Sequence, residues 1–400
     1  MTRRRVGRYS FTVWLFHPLH LAGDRRTRRQ FMRADLSRRE MMRAVGATAF
    51  LAPRVDRASV MGLRGEGPDT PKICLEMGGG RLAASDLDEA GVRRVKQLGV
   101  DHALMGGPPI PWEESQIRSI MERLKSGGLT LGNMMIAGFP NAIYGRPGRD
   151  EEIEKVRRSI RAAGRAGLPV VEYNFYAHRL VEGYYAESGR GGAGLTAFDY
   201  ERVKDLPPLS AEGAHSLEEI WSNISYFLRA VVPVADESGV RLALHPNDPP
   251  VPLSRGSGQI MASLEGWKRL IEIVPSKSNG ITFDCGVTRE LGEDPVEVCR
   301  YFGTRDRINH VHFRNVRVRV PREKYAEVFL DEGEVDMFAV MKELVRQKYL
   351  RLVYPEHPRG LDADREHPGF KSAYPGGGSY VGFAYNVGYT RAVLQAALAP

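Results

Sequence analysis

Four residues in the second half of the chain are of the types that hold a divalent cation, and each stands at or near the end of a short apolar run. His245 ends "RLALH" (241–245), Asp284 ends "GITFD" (280–284), His312 lies near the end of "INHVHF" (308–313) and Glu356 ends "LRLVYPE" (350–356). Two imidazoles and two carboxylates form a mixed nitrogen and oxygen donor set, which suits Mn²⁺, Fe²⁺, Co²⁺ or Zn²⁺ better than Ca²⁺. Mn²⁺ is the foremost candidate, with Fe²⁺ or Co²⁺ as substitutes. With four protein ligands, such an ion keeps open positions for a bidentate substrate. Any one of these residues alone reads more simply as a buried strand-end side chain with a backbone partner. Their recurrence at four strand ends is what argues for a metal.

Those four residues need elements that bring them together. Their separations of 39, 28 and 44 residues each fit one βα unit. Apolar runs at 72–77, 101–106, 129–136 and 170–175 precede them, separated by amphipathic stretches such as the one opening at Asp150. The clearest helix follows a capping box, Ser216 to Glu219. Eight strands with eight connections predict a (β/α)8 TIM barrel over residues 71–400, with long loops at 176–215 and 314–333; a doubly wound sheet is the alternative. In a barrel the carboxyl ends of the strands converge on one mouth, which is where the four candidate ligands stand.

Composition narrows the function classes. The chain has 400 residues, 42% of them hydrophobic, enough for a barrel-sized core. Its net charge of +8 is misleading, because the first 60 residues carry 14 arginines against 4 acidic residues and leave the remainder near neutral. The body therefore lacks the cationic surface that phosphate backbones require, and no nucleic-acid partner is expected. Three cysteines, Cys74, Cys285 and Cys299, show no CxxC spacing, which argues against a disulfide framework and a structural zinc site.

The basic segment 1–60 is expected to lie outside the fold. "LSRREMMRAVGATAFLAP" places Arg38-Arg39 ahead of a weakly apolar run too short to span a bilayer, and it resembles a twin-arginine export signal. An extracytoplasmic (periplasmic) chain is the expectation, the cytoplasm the alternative, with Met32 as a candidate start. No stable membrane insertion is expected, and a homo-oligomer is allowed for.

The stretch "SNISYFLRAVVPVADESGVRLALHPNDPP" resembles the most characteristic segment of the UxuA-type mannonate dehydratases. "VEYNF", "NGITFDCG", "HVHFRNV", "GEVDM" and "YPEHPRG" resemble further family segments in the same order, over roughly residues 72–395. The resemblance implies a xylose-isomerase-like barrel and a hydro-lyase that dehydrates a sugar acid such as D-mannonate. It also implies roles. His357 matches the family's histidine for proton transfer, and Arg314 its arginine, suited to pair with a substrate carboxylate. Asp284 falls where the family has a cysteine ligand, with Cys285 as the alternative, and Glu356 replaces an aspartate. The family's catalytic tyrosine falls on Gly377; Tyr374 or Tyr380 could reach the same space, and Tyr380 is taken as the candidate. Tyr173 and Asn174 at the fourth strand end, Asn247 and Asp248 after the metal histidine, and Arg190 in the glycine-rich lid "SGRGGAG" complete the expected substrate contacts. Asn247 and Asp248 also admit a purely conformational role. A metal-dependent sugar isomerase or epimerase, or a non-catalytic exported sugar-acid binding protein, are the competing readings.

Overall fold

The computed structural model describes residues 65–78, 87–176 and 178–399; the basic segment with Arg38 and Arg39 lies outside the described residues. Eight parallel strands close into a barrel: β1 (Lys72–Met77), β2 (His102–Gly106), β3 (Thr130–Ile136), β4 (Val170–Tyr173), β5 (Arg241–Leu244), β6 (Asn279–Asp284), β7 (Ile308–His312) and β8 (Leu352–Tyr354). Each strand pairs with its neighbours in sequence, and β8 pairs with β1. Closure excludes the doubly wound alternative. No described helix is long and apolar enough to cross a membrane.

Strand alternation decides what faces inward. In the β6–β7 pairing Asp284 stands opposite His312 and Thr282 opposite His310, so these four share the interior face. The intervening Phe283 and Val311 point outward and are buried in the hydrophobic core against the helices.

The helix Leu217–Ser238 shows how the outer layer is built. Ser216 Oγ accepts the Glu219 N–H at 3.2 Å while the Glu219 carboxylate accepts the Ser216 N–H at 2.6 Å, satisfying donors that a helix start leaves open. Ile220, Ile224, Phe227, Leu228, Val231 and Val234 recur at helical spacing and bury one face. Gly239, at φ 66°, ends it in the left-handed conformation that glycine adopts without strain. Truncating Ile224, which is fully buried, should cost about 2–5 kcal/mol.

The two stretches expected as long loops are not loops throughout. They contribute Tyr184–Ser188 and Gly194–Asp199, then Asn315–Val320 and Lys324–Val328, which combine into a four-stranded antiparallel sheet. "NVRVRV" carries the alternation of a half-covered strand, a signal that the barrel framework obscured. Phe198 and Tyr325, paired across this sheet, pack in one small apolar cluster, and Ala197 and Ala326 in another on its opposite face. Tyr325 and Glu327 project from the same face.

Candidate metal centre

His245, Asp284, His312 and Glu356 meet at the carboxyl ends of β5 to β8, with their donor atoms all within 4.8 Å of one another. His245 Nε2 lies 3.0 Å from His312 Nδ1, which is 3.1 Å from Glu356 Oε1 and 3.9 Å from Asp284 Oδ2. The ring orientations follow from the outer nitrogens. His245 Nδ1–H donates to the Pro246 carbonyl at 2.7 Å, and His312 Nε2 faces Glu172 Oε1 at 3.4 Å, so each ring turns its other nitrogen to the cluster.

The cluster has the electrostatics of a cation site. Glu356 Oε1 is buried without a hydrogen-bond partner. Burial opposes a charged His312, yet Glu356 and Glu172 outweigh it and raise this imidazole to about 9. Burial and the neighbouring His312 hold His245 neutral, down at about 3. Burial pushes Asp284 up to about 6, with Arg314 opposing. Converging lone pairs and carboxylates that draw a proton onto a buried ring fit a divalent ion as well. Cys285 is turned away: its thiol donates to the carbonyls of His312 and Arg314, and burial raises it above the range of a thiolate ligand.

Beside the cluster lies a second polar group. His357 Nδ1 is 2.9 Å from Glu327 Oε2, and its Nε2 is 3.5 Å from Glu356 Oε2. Arg359 Nη2–H donates to the same Glu327 oxygen at 2.8 Å and, with His357, holds that carboxyl below its ordinary range against the burial that would raise it. The His357 backbone sits at φ 47°, a strained conformation for a histidine, costing about 1–3 kcal/mol, of the kind that accumulates at functional sites. Tyr374 lays its ring 4.8 Å from the His357 ring, and its hydroxyl accepts from Arg179 Nη1. Asp364 accepts the backbone N–H groups of Ser379, Val381 and Gly382 at 2.9 Å each, anchoring the segment that follows Tyr374.

Several expected contacts are corrected. Tyr380 faces away, its hydroxyl donating to the Arg94 carbonyl at 3.0 Å in an outer helix, so Tyr374 is the tyrosine beside His357. Tyr173 alternates with the inward Glu172 and packs outward against Phe227, not at the mouth. Asn247 is scaffold: its amide bonds Gln259 and the Met261 N–H. The Arg190 guanidinium is taken up by Asp331 and Tyr385 and lies over the Phe329 ring, pinning its hairpin to the segment after Val328 and to the helix Tyr380–Ala397. Arg314 does border the site, but as a support: Nε–H donates to Asp284 Oδ2 at 3.0 Å and Nη1–H to Glu290 at 2.6 Å, while Nη2 lies 3.6 Å from Asp248 Oδ2. Asp248 is buried there too, accepting from Tyr184 at 2.6 Å and Arg179 at 2.7 Å. Asn174, two residues beyond Glu172 on the inward side, keeps a buried Oδ1 without a hydrogen-bond partner.

Sequence reasoning missed Glu172, His310, Arg179, Tyr184, Tyr325 and Glu327. For Glu172 a signal existed, a carboxylate inside the apolar run "VVEYNF".

Residues 201–398 match the family model of D-mannonate dehydratase (UxuA). The mannonate dehydratase of Thermotoga maritima is 30% identical over 296 residues, spanning 65% of this chain and 81% of that protein. The chain belongs to the mannonate dehydratase family. The Streptococcus pneumoniae family member is 29% identical over 318 residues, 72% of this chain and 84% of its own length. The crystal structure of mannonate dehydratase from Streptococcus suis serotype 2 superposes with a TM-score of 0.72 at 26% identity, covering 82% of this chain and 95% of that one. A xylose isomerase-like TIM barrel protein from Mycobacterium smegmatis, solved in complex with magnesium, shares the fold at TM-score 0.55 and 17% identity, over 84% of this chain and all of that one. The barrel of this mannonate dehydratase family member is thus xylose-isomerase-like.

Proposed function

We propose that the chain is a metal-dependent hydro-lyase converting D-mannonate to 2-keto-3-deoxy-D-gluconate and water. The observation that carries this reading is the convergence of four buried donors on one point, next to a histidine held by its own carboxylate. The reaction removes the weakly acidic hydrogen α to a carboxylate and expels the neighbouring hydroxyl. A divalent ion, Mn²⁺ foremost, held by His245, Asp284, His312 and Glu356 supplies Lewis-acid stabilisation of the negative charge that develops on the substrate oxygens.

The chain's own groups do the rest. Glu327 accepts from His357 Nδ1 and so leaves Nε2 to take or give a proton on the cluster side. Tyr374, receiving the Arg179 N–H, is the second proton-carrying group beside it. Between them these two side chains cover both tasks, base for the α-hydrogen and acid for the departing hydroxyl. Arg314, bonded to Asp284 and Glu290 and with Nη2 3.6 Å from Asp248 Oδ2, holds the donor Asp284 in place.

Incubation of the purified chain and Mn²⁺ with D-mannonate, followed by NMR, tests this directly. Appearance of a new methylene at C3 and conversion of the hydroxyl-bearing C2 into a keto carbon is the expected result. An isomerase or epimerase is the second reading, favoured by the carboxylates Asp284 and Glu356 at ligand positions. Turnover of neutral ketoses but not of the acid would establish that reading instead, and tight binding without turnover would establish a sugar-acid binding protein. We also propose export through Arg38-Arg39: replacing both by Lys should retain the chain in the cytoplasm, and unchanged fractionation would refute it.

A further inference from the structure

One step below the four donors, the barrel interior carries a second polar layer. Such layers are ordinarily filled by Val, Ile and Leu. Here they include Asn133, Glu172, Thr282 and His310, each at most 1% exposed. A carboxyl this deep costs several kcal/mol to keep charged unless its surroundings repay it. Burial does raise the Glu172 carboxyl, and His312, Thr282 and Asn133 draw it back toward the charged form. Its Oε1 accepts the Thr282 hydroxyl at 2.8 Å and lies 3.4 Å from His312 Nε2, while its Oε2 accepts the Asn133 amide at 2.7 Å. His312 is the hinge between the layers, with Nδ1 among the four donors and Nε2 turned down to Glu172.

We propose that Glu172 is a positioning residue for the metal centre: acting through His312, its carboxylate holds the ring proton on Nε2 and keeps Nδ1 a lone-pair donor toward the ion. The proposal rests on the metal-centre reading above. Carboxylates placed behind a ligating imidazole fix its tautomer and orientation and strengthen its donor nitrogen, and their loss lowers metal affinity about 10- to 100-fold. A rival use of the same residues is a separate ion site, since Glu172, His310 and His312 also bring donor atoms within 4.8 Å of one another and both His310 ring nitrogens lack hydrogen-bond partners. That use would require His312 to give up both ring protons while serving two ions. Holding the Nε2 proton demands no such step.

Glu172→Gln isolates the charge. Asn133 Oδ1 has no hydrogen-bond partner, so rotating that amide offers the new glutamine Nε2 an acceptor while the glutamine Oε1 still receives Thr282. The variant should fold with little change in Tm. Titration of wild type and variant with Co²⁺ and Mn²⁺ against a competing chelator should show about tenfold weaker binding, approaching a hundredfold in Glu172→Ala, and the Co²⁺ visible bands should shift. A purely structural role would lower Tm and leave the affinity and spectrum of the folded protein unchanged, which would overturn the proposal. Two ions in wild type and one in Glu172→Gln would overturn it as well, because Glu172 would then be a ligand. Absence of any binding by wild type would instead remove the metal-centre reading itself. Should Glu172→Gln not fold, Thr282→Val removes one bond that orients the same carboxylate and should weaken binding about two- to tenfold; unchanged affinity there would equally count against the role.

Discussion

The donor side of the site and the His357 side are built by different means. His245, Asp284, His312 and Glu356 stand at or just beyond the ends of four adjacent parallel strands, whose register sets their relative positions to within a residue. Glu327, Tyr184 and Tyr325 come from an antiparallel sheet inserted between barrel strands, and Arg179, His357 and Tyr374 from the segments around it. Their places depend on side-chain bonds such as Arg359 to Glu327 and Arg179 to Asp248. The contrast teaches a division of labour: the closed barrel fixes the four donors in space, and the insertion brings to them the groups to which the proposed function assigns proton transfer. Substitutions on the two sides should therefore fail in different ways.

The largest effect is expected on the donor side. Replacing His245, Asp284, His312 or Glu356 by Ala should abolish bound metal and take turnover to background together, checked by elemental analysis and assay on one preparation. The pH dependence of metal uptake should come next. Burial opposes a proton on His312, but Glu356 and Glu172 keep it there up to about 9, while burial keeps Asp284 protonated up to about 6. An entering cation must displace these protons. Apparent affinity should rise about tenfold per pH unit between 6 and 9, more steeply below 6, and level off above 9; affinity independent of pH would contradict the donor assignment.

Smaller effects belong to the insertion side. His357→Ala should retain the ion and lose turnover about a hundredfold or more. Tyr374→Phe should lower kcat about tenfold with metal unchanged, whereas Tyr380→Phe should leave kcat alone and cost about 0.5–1.5 kcal/mol of stability through its lost bond to Arg94. Cys285→Ser should change metal content least of all, because its thiol faces backbone carbonyls.

The same contrast explains what could be read from sequence. A strand end in a parallel barrel is marked by an apolar run, and the mouth follows from topology, so the convergence of His245, Asp284, His312 and Glu356 was legible in the sequence. Tyr173 was misplaced because a residue's being at a strand end does not say which face it takes; the parity of Glu172 decides that. Tyr380 was misplaced because the turn through Gly376, Gly377 and Gly378 sets which tyrosine swings inward, and its geometry comes from close backbone approach to Arg359 and Gly360 rather than from spacing. The inserted sheet was read as loop because its strands are short and its pairing joins stretches more than a hundred residues apart, such as Phe198 with Tyr325. Arg314 was recognised as part of the site, but its bonds to Asp284 and Glu290, which make it a support, exist only in three dimensions.

Metal content per chain, measured side by side in wild type, His245→Ala and His357→Ala purified without chelator, tests the division most directly. About one divalent transition ion is expected in wild type and in His357→Ala, and none in His245→Ala. Equal loss of metal in both variants would mean that His357 is itself a ligand, and the separation of charge-holding strands from proton-moving insertion would be wrong.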